Sequence, residues 1–189
     1  MGNRDALLDG ATACLYDKGY ARTTARDIAT AAGVSLAAIG YHFGSKEALL
    51  NAALERAIEE WGDDLARSLA ARGGNAAGGE AFEQAWTAVL ASLAESRPLW
   101  AIQFELIAHI ERTPELRQSF ADATRRARLE LAGIFGTSTA DEATAVRVGA
   151  LYQALLVGVV GLWLVDPADA PSAADLLDAF RTVASGFDG

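Results

Sequence analysis

The chain has 189 residues, 51% of them hydrophobic, with a formal net charge of −9 and a single cysteine. That length suits one or two small domains with a real core, and the alanine, leucine and glutamate bias favours an all-α protein. One cysteine excludes an internal disulfide, and the acidic balance weighs against indiscriminate attachment to nucleic acid. The charge is unevenly spread. Residues 1–46 carry Arg4, Lys18, Arg22, Arg26 and Lys46 against Asp5, Asp9, Asp17 and Asp27, a balance of +1 that leaves −10 for the rest. A locally positive face on an acidic body is compatible with a sited phosphate contact. The first ten residues, MGNRDALLDG, contain no apolar run of the secretory kind, and Ala6 stands where a myristoylation signal needs Ser or Thr. A cytoplasmic protein is expected.

Asn3 is expected to cap a first helix whose Leu7, Leu8, Ala11, Cys14 and Leu15 share one face. Lys18 suits its negative end and Gly19 stops it. Cys14 on that face reads as a buried core thiol. Residues 24–46, TARDIATAAGVSLAAIGYHFGSK, divide into two short helices around a glycine turn. Thr24 is a good N-cap with Asp27 at N3, as in a capping box. Gly33 supplies a left-handed stop, Ser35 caps the second helix and Gly44 closes it. Helix, tight turn and short helix is the layout of a helix-turn-helix, whose second helix enters the DNA major groove. From Ser45 a long helix carries Leu49, Leu50, Ala53, Leu54, Ala57, Ile58, Trp61, Leu65 and Leu69 to about residue 71. Its reach of roughly 38 Å exceeds what a small domain needs. It is therefore expected to link two domains, a DNA-binding one over 1–46 and a second over 47–189.

Glycine-rich RGGNAAGGE (72–80) reads as a helix–helix loop, not a phosphate cradle, since no strand precedes it and no Lys-Ser/Thr follows. Phe82, Ala85, Trp86, Val89, Leu90 and Leu93 form the next amphipathic face. Ser96-Arg97-Pro98 restarts the chain with proline in the first turn. Leu99, Trp100, Ile102, Phe104, Leu106, Ile107 and Ile110 are apolar on nearly all sides, which predicts a central helix. Thr113-Pro114-Glu115 begins another, with Leu116, Phe120, Ala123, Ala127, Leu131, Ile134 and Phe135 on its buried face. Arg117, Arg125, Arg126 and Arg128 are assigned to its solvated side.

Val148 to Val165 is apolar all round and just long enough to span a membrane. Arg147 and Asp166-Pro167 bracket it tightly and Gln153 interrupts it, so burial in a homodimer is expected, with no membrane contact. Ala150, Ala154, Gly158 and Gly161 make a small-residue stripe for a partner backbone. Tyr152, Leu155, Val159, Leu162 and Trp163 are assigned to the protein's own core. The last helix, from Ser172 to about Phe187, offers Leu176, Leu177, Phe180, Val183 and Ala184 to the same interface. The whole amounts to about nine helices: a three-helix DNA-binding domain and a helical domain for ligand binding and dimerisation.

Gly19-Tyr20, Thr23-Thr24, Arg26-Asp27-Ile28-Ala29, Ala32-Gly33-Val34-Ser35, Tyr41-His42-Phe43 and Ser45-Lys46-Glu47-Ala48-Leu49-Leu50 together resemble the N-terminal domain of the tetracycline-repressor (TetR) family. The resemblance runs from about Leu7 to Leu54; beyond it, only the architecture is similar. It implies a DNA contact set. Thr24 would meet phosphate at a helix N-terminus, Arg26 phosphate or a guanine edge, and Leu36, Ala37 and Ala38 the bases. Tyr41, His42 and Lys46 match positions that usually hold the sugar–phosphate backbone. It also implies that the last two long helices of each subunit form a four-helix dimer interface. The chain departs from the family pattern twice: Gly40 stands where tyrosine is common, and Leu36 where a polar or basic residue is frequent. Both leave the recognition face poor in hydrogen-bonding groups.

No catalytic constellation is present. His42 and His109 are the only histidines, and no Cys-x-x-Cys or G-x-S-x-G occurs. An enzyme, a cofactor and a metal site are not expected. Trp86, Trp100, Gln103, Phe104 and Tyr152, with Glu105 and His109, are candidate linings of a pocket for a small-molecule effector. The expected function is a homodimeric repressor that binds a pseudo-palindromic double-stranded operator and releases it on binding an effector. Gly40 and the apolar recognition helix motivate an alternative, a small-molecule carrier that has lost DNA binding. A membrane-associated helical protein built on residues 148–165 is a further rival.

Overall fold

Apolar residues recurring every three to four positions fold into nine helices, and no strand occurs, among the residues described in the computed structural model, which are 2–71, 76–109, 114–135 and 141–187. In chain order these are α1 (Asn3–Lys18), α2 (Ala25–Ala32), α3 (Leu36–Phe43), α4 (Lys46–Ala71), α5 (Gly79–Ser92), α6 (Arg97–His109), α7 (Pro114–Ile134), α8 (Glu142–Val165) and α9 (Ala173–Ser185). The all-α expectation is met. Residues 72–75 of the glycine-rich stretch, Ile110, Thr113 and the side chain of His109 lie outside the described residues. By chain contacts the helices group into two compact units, 1–62 with 98–119, and 63–97 with 120–189.

In the first unit, α1 packs on α2 and α3, and α2 packs on α3. Leu7, Ala11, Leu15, Ile28, Ala29 and Ile39 close that core, and Leu49, Leu50, Ala53 and Leu54 bury the first half of α4. Each such leucine or isoleucine contributes about 1.5–3 kcal/mol on leaving water. Gly10 sets the approach of α1 to α2: a Cβ there would sit 2.9 Å from the Ala32 nitrogen and 3.1 Å from the Ile28 oxygen. Cys14 is buried, and desolvation first, then the Asp27 charge, raises its thiol pKa. It is a structural thiol. One capping expectation needs correcting. Gly2, not Asn3, is the N-cap of α1, and no side chain bonds there.

The second unit is built on aromatic rings. Phe135 stacks on Tyr152 at 4.5 Å and lies 5.2 Å from Trp86, with Phe82 6.2 Å from both Trp86 and Tyr152. α5 packs on α9. α8 starts well before Val148, because Asp141 accepts the amides of Ala143 (3.2 Å) and Thr144 (3.0 Å) and so caps a helix the apolar run alone did not reveal. Gly149 lets α8 cross the α7 backbone; a Cβ there would run into the Arg128 carbonyl. Gln153, the polar interruption, has a partner on α7: its amide donates to the Thr124 carbonyl at 3.3 Å. Arg97 closes the far end of α8, bonding the Leu164 carbonyl at 3.2 Å with its guanidinium over the Trp163 ring.

α8 buries Gly149, Tyr152, Leu156, Val159 and Val160. Leu162, expected in that core, is instead 59% exposed. At roughly 100° per residue Leu162 lies about 80° to one side of the Tyr152 line, whereas the buried Leu156 and Val160 lie about 40° and 80° to the other. Glu142–Val165 is also the one helix among the described residues that is long and apolar enough to cross a membrane, by length and composition.

Candidate nucleic-acid interface

The α2–turn–α3 segment is assembled by local chemistry. Thr24 and Asp27 form the expected capping box: the Thr24 amide donates to Asp27 Oδ2 at 3.0 Å and the Asp27 amide donates to Thr24 Oγ1 at 3.2 Å. The Thr24 hydroxyl also donates to Asp27 Oδ2, at 2.6 Å. Lys18 reaches Asp27 Oδ1 at 2.6 Å. Lys18 first, and then Thr24 through its hydroxyl and amide, hold the Asp27 carboxyl well below the usual carboxylate range. Gly33 ends α2 in the left-handed region at φ 65°. Ser35 is the N-cap of α3 by backbone geometry but makes no side-chain bond, unlike the sequence expectation. Ser45 does cap α4, accepting the Ala48 amide at 3.0 Å.

One residue of α3, Ile39, is fully buried and anchors the helix. Leu36 is 53% exposed and Tyr41 86% exposed; Ala37 and Gly40 are exposed, while Ala38 and His42 are half-buried. Tyr41 and His42 meet edge to face at 4.8 Å. Nothing lies within 4 Å of a Cβ added at Gly40. Phe43 is half-buried, with the Arg4 guanidinium 5.3 Å from its ring centre. Thr24 and Arg26 are exposed at the start of α2, and Arg26 makes no ion pair among the described residues. The Thr24 hydroxyl proton is already given to Asp27, so an anion at this helix end would be met by backbone amides of the first turn and by Arg26. Lys46 is half-buried; its ammonium donates to the Thr23 carbonyl at 3.1 Å and lies 3.3 Å from Glu47. One of its three donors remains for a phosphate.

The candidate effector residues fall into two sets. Trp100, Gln103 and Phe104 lie on α6 in the first unit, where Trp100 meets Trp61 of α4 edge to face at 4.9 Å. Trp100 Nε1 and Gln103 Oε1 are buried with no hydrogen-bond partner among the described residues. Trp86 and Tyr152 belong to the aromatic cluster of the second unit, where Trp86 Nε1 is likewise unpartnered. Buried polar atoms are normally satisfied, so three such atoms call for a partner. Glu105, also suggested as a pocket lining, has its carboxylate on the amides of Tyr20 and Ala21. Sequence reasoning missed that contact, and no pattern in the chain signals a bond between residues 85 positions apart.

The candidate interface residues lie on α8 and α9. Ala154, Gly158 and Phe180 are exposed, Ala150 and Gly161 half-buried, and Leu177 buried. Leu151, Leu155, Phe180, Val183 and Phe187 line an apolar groove of about 430 Å³.

A family model described as bacterial regulatory proteins, tetR family, matches residues 7–53, and one described as tetracyclin repressor-like, C-terminal domain, matches residues 77–186. Among curated relatives, the HTH-type transcriptional regulator TtgR of Pseudomonas putida is 42% identical over 65 residues, which cover 34% of this chain and 30% of that protein. The HTH-type transcriptional repressor KstR2 of Rhodococcus jostii is 37% identical over 59 residues, covering 31% and 29%. The matches thus span less than a third of those relatives' length. Among solved structures, a TetR-family transcriptional regulator from Mesorhizobium loti superposes with a TM-score of 0.70 at 21% identity, covering 96% of each chain. The multidrug binding protein EbrR complexed with imidazole gives a TM-score of 0.67 at 26% identity over 93% of this chain and 88% of that one.

Proposed function

The chain belongs to the TetR family of bacterial transcriptional regulators, and from that premise we propose that it acts as a homodimeric, effector-released repressor of a pseudo-palindromic operator. The observation that carries DNA recognition is the exposed face of α3, held by Ile39 at the end of a capped α2 and a left-handed Gly33 turn. In this reading Leu36, Ala37 and Ala38 meet base edges, with thymine methyls the natural partners of so apolar a face. Tyr41, His42 and Lys46 meet the sugar–phosphate backbone, and Arg26 with the first turn of α2 meets a phosphate or a guanine.

A second copy is the proposed cover for α8 and α9. Only 28% of the most apolar stretch of α8 is buried, and the apolar groove continues from it onto α9. The exposed Ala154 and Gly158 let a partner backbone approach. The effector is proposed to be a neutral or cationic aromatic compound. The −10 charge of residues 47–189 disfavours an anion, the unpartnered Trp100 Nε1 and Gln103 Oε1 supply one donor and one acceptor, and EbrR is a multidrug binding protein by its own description.

Selection of random duplexes by the purified chain, followed by sequencing, tests the reading. An enriched pseudo-palindrome with half-sites one helical turn or more apart is expected. Recovery of no preferred sequence, with small-molecule binding intact, would support the carrier alternative that Gly40 motivates.

A further inference from the structure

Residues 19–24, between α1 and α2, are held from several directions. The Gly19 amide bonds the Leu15 carbonyl at 2.8 Å, and the Thr23 hydroxyl donates to the Gly19 carbonyl at 2.7 Å. The Tyr20 hydroxyl donates to Asn51 on α4 at 2.9 Å, and Lys46 donates to the Thr23 carbonyl. The remaining hold comes from α6. Glu105 accepts the Tyr20 amide on Oε2 and the Ala21 amide on Oε1, each at 3.0 Å. Two consecutive amides thus meet the two oxygens of one carboxylate, a forked, charge-assisted arrangement with strict geometry. The chain makes room for it at Gly19, where φ is 78° and a Cβ would stand 2.9 Å from Glu105 Oε2. This connector ends at Thr24, the cap of α2, so whatever fixes it also fixes the start of the DNA-facing segment.

On the other side of the same helix stand Trp100 and Gln103. At roughly 100° per residue they lie about 140° and 160° around α6 from Glu105. Trp100 rests on Trp61 of α4, and both Trp100 Nε1 and Gln103 Oε1 lack partners among the described residues. One short helix therefore carries unsatisfied groups on one side and a clamp on the reading head on the other, all within one compact unit.

We propose that Glu105 is a positioning residue for DNA binding: a latch by which a displacement of α6 is passed to the α1–α2 connector and thence to α2 and α3. The proposal rests on the reading of the chain as an effector-responsive DNA binder and adds the residue that transmits the response. Both bonds sit at 3.0 Å, and a bond of this kind is lost beyond about 3.5 Å, so a shift of α6 by well under a helical turn opens the latch. The contact behaves as two states, made or broken, which is what a switch needs.

The test is a mutant cycle on the full chain. Wild type, Glu105→Gln, Glu105→Ala, Trp100→Ala and the Trp100→Ala/Glu105→Ala double variant are compared by amide hydrogen exchange and by affinity for the duplex selected by wild type. Glu105→Ala should speed exchange at Tyr20 and Ala21 at least tenfold, leave Leu49 to Leu54 unchanged, and alter affinity for the selected duplex about tenfold but for random DNA less than twofold. Glu105→Gln keeps one acceptor oxygen and should fall between. Trp100→Ala should change both readouts when Glu105 is present and change them no further when it is absent. Wild-type exchange at Tyr20 and Ala21 in a folded Glu105→Ala chain would overturn the latch, as would equal effects of Trp100→Ala in both backgrounds. Should Glu105→Ala fail to fold, the near-isosteric Glu105→Gln carries the same comparison. If wild type selects no duplex, the DNA-binding reading fails, while the exchange cycle still decides whether α6 and the connector are coupled through Glu105.

Discussion

Asp27 concentrates much of the local chemistry of the reading head, because one carboxylate serves the cap of α2 and the Lys18 ammonium at the end of α1. Its folded pKa is depressed, by Lys18 first and then by Thr24, so its contribution to stability is present above the unfolded value of about 3.9 and is lost as pH falls through the folded one. Lys18 is shifted the other way, upward, by the same bond, so its contribution is present below the ordinary lysine value of about 10.4 and fades as pH rises beyond it. Thermal melts between pH 2 and 6 should therefore show a shallower acid limb for Asp27→Asn than for wild type; identical limbs would move the acid sensitivity to other carboxylates. Tyr20 is shifted as well. Burial first, then the Glu47 charge, pushes its phenol up to about 12. The Thr24–Asp27 box was legible in the sequence because capping is a contact across three residues. The hold of Glu105 on Tyr20 and Ala21 was not, because nothing local to either end requires it.

At the level of single helices, two glycines show how context decides the sign of one substitution. Gly10→Ala places a methyl 2.9 Å from the Ala32 nitrogen and 3.0 Å from its Cβ, and should destabilise the chain by about 1–3 kcal/mol. Gly40→Ala meets nothing within 4 Å on an exposed turn of α3 and should stabilise it by about 1 kcal/mol through helix propensity. Denaturant melts of the two variants check both; a destabilised Gly40→Ala would mean that α3 needs the flexibility of glycine. Helix existence and order were readable from apolar period, which a helix shows whether or not its face is covered. Where the sequence reading erred, the reason was tertiary or local. α8 begins at Glu142 because Asp141 caps a polar first turn, whereas the apolar run marks only where the helix becomes hydrophobic. Which side of α8 is covered depends on where α7 crosses it, close at Gly149, and an all-apolar run does not reveal that side, which leaves Leu162 exposed.

For the whole molecule, the bare side of α8 predicts assembly. Gly158 is exposed with nothing within 4 Å of an added Cβ, so Gly158→Arg should leave the monomer folded yet charge the face that a second copy covers. Sedimentation at micromolar concentration should show a dimer for wild type and a monomer for the variant; a monomeric wild type removes the argument. The same scale governs attachment to DNA. Each phosphate neutralised contributes about 0.9 to the slope of log affinity against log salt. Arg26→Ala should lower that slope by about this much, and Lys46→Ala by less, because the Lys46 ammonium already answers to Thr23 and Glu47. Lys18 is occupied by Asp27 in the same way, and Arg4 lies over Phe43. So thrifty a use of cations bears on how such a protein finds its address. With little to grip on random duplex, it should dwell there briefly, travel by excursions through solution more than by sliding, and meet its effector mostly while unattached. Long, salt-resistant sliding tracks on stretched DNA would contradict that picture.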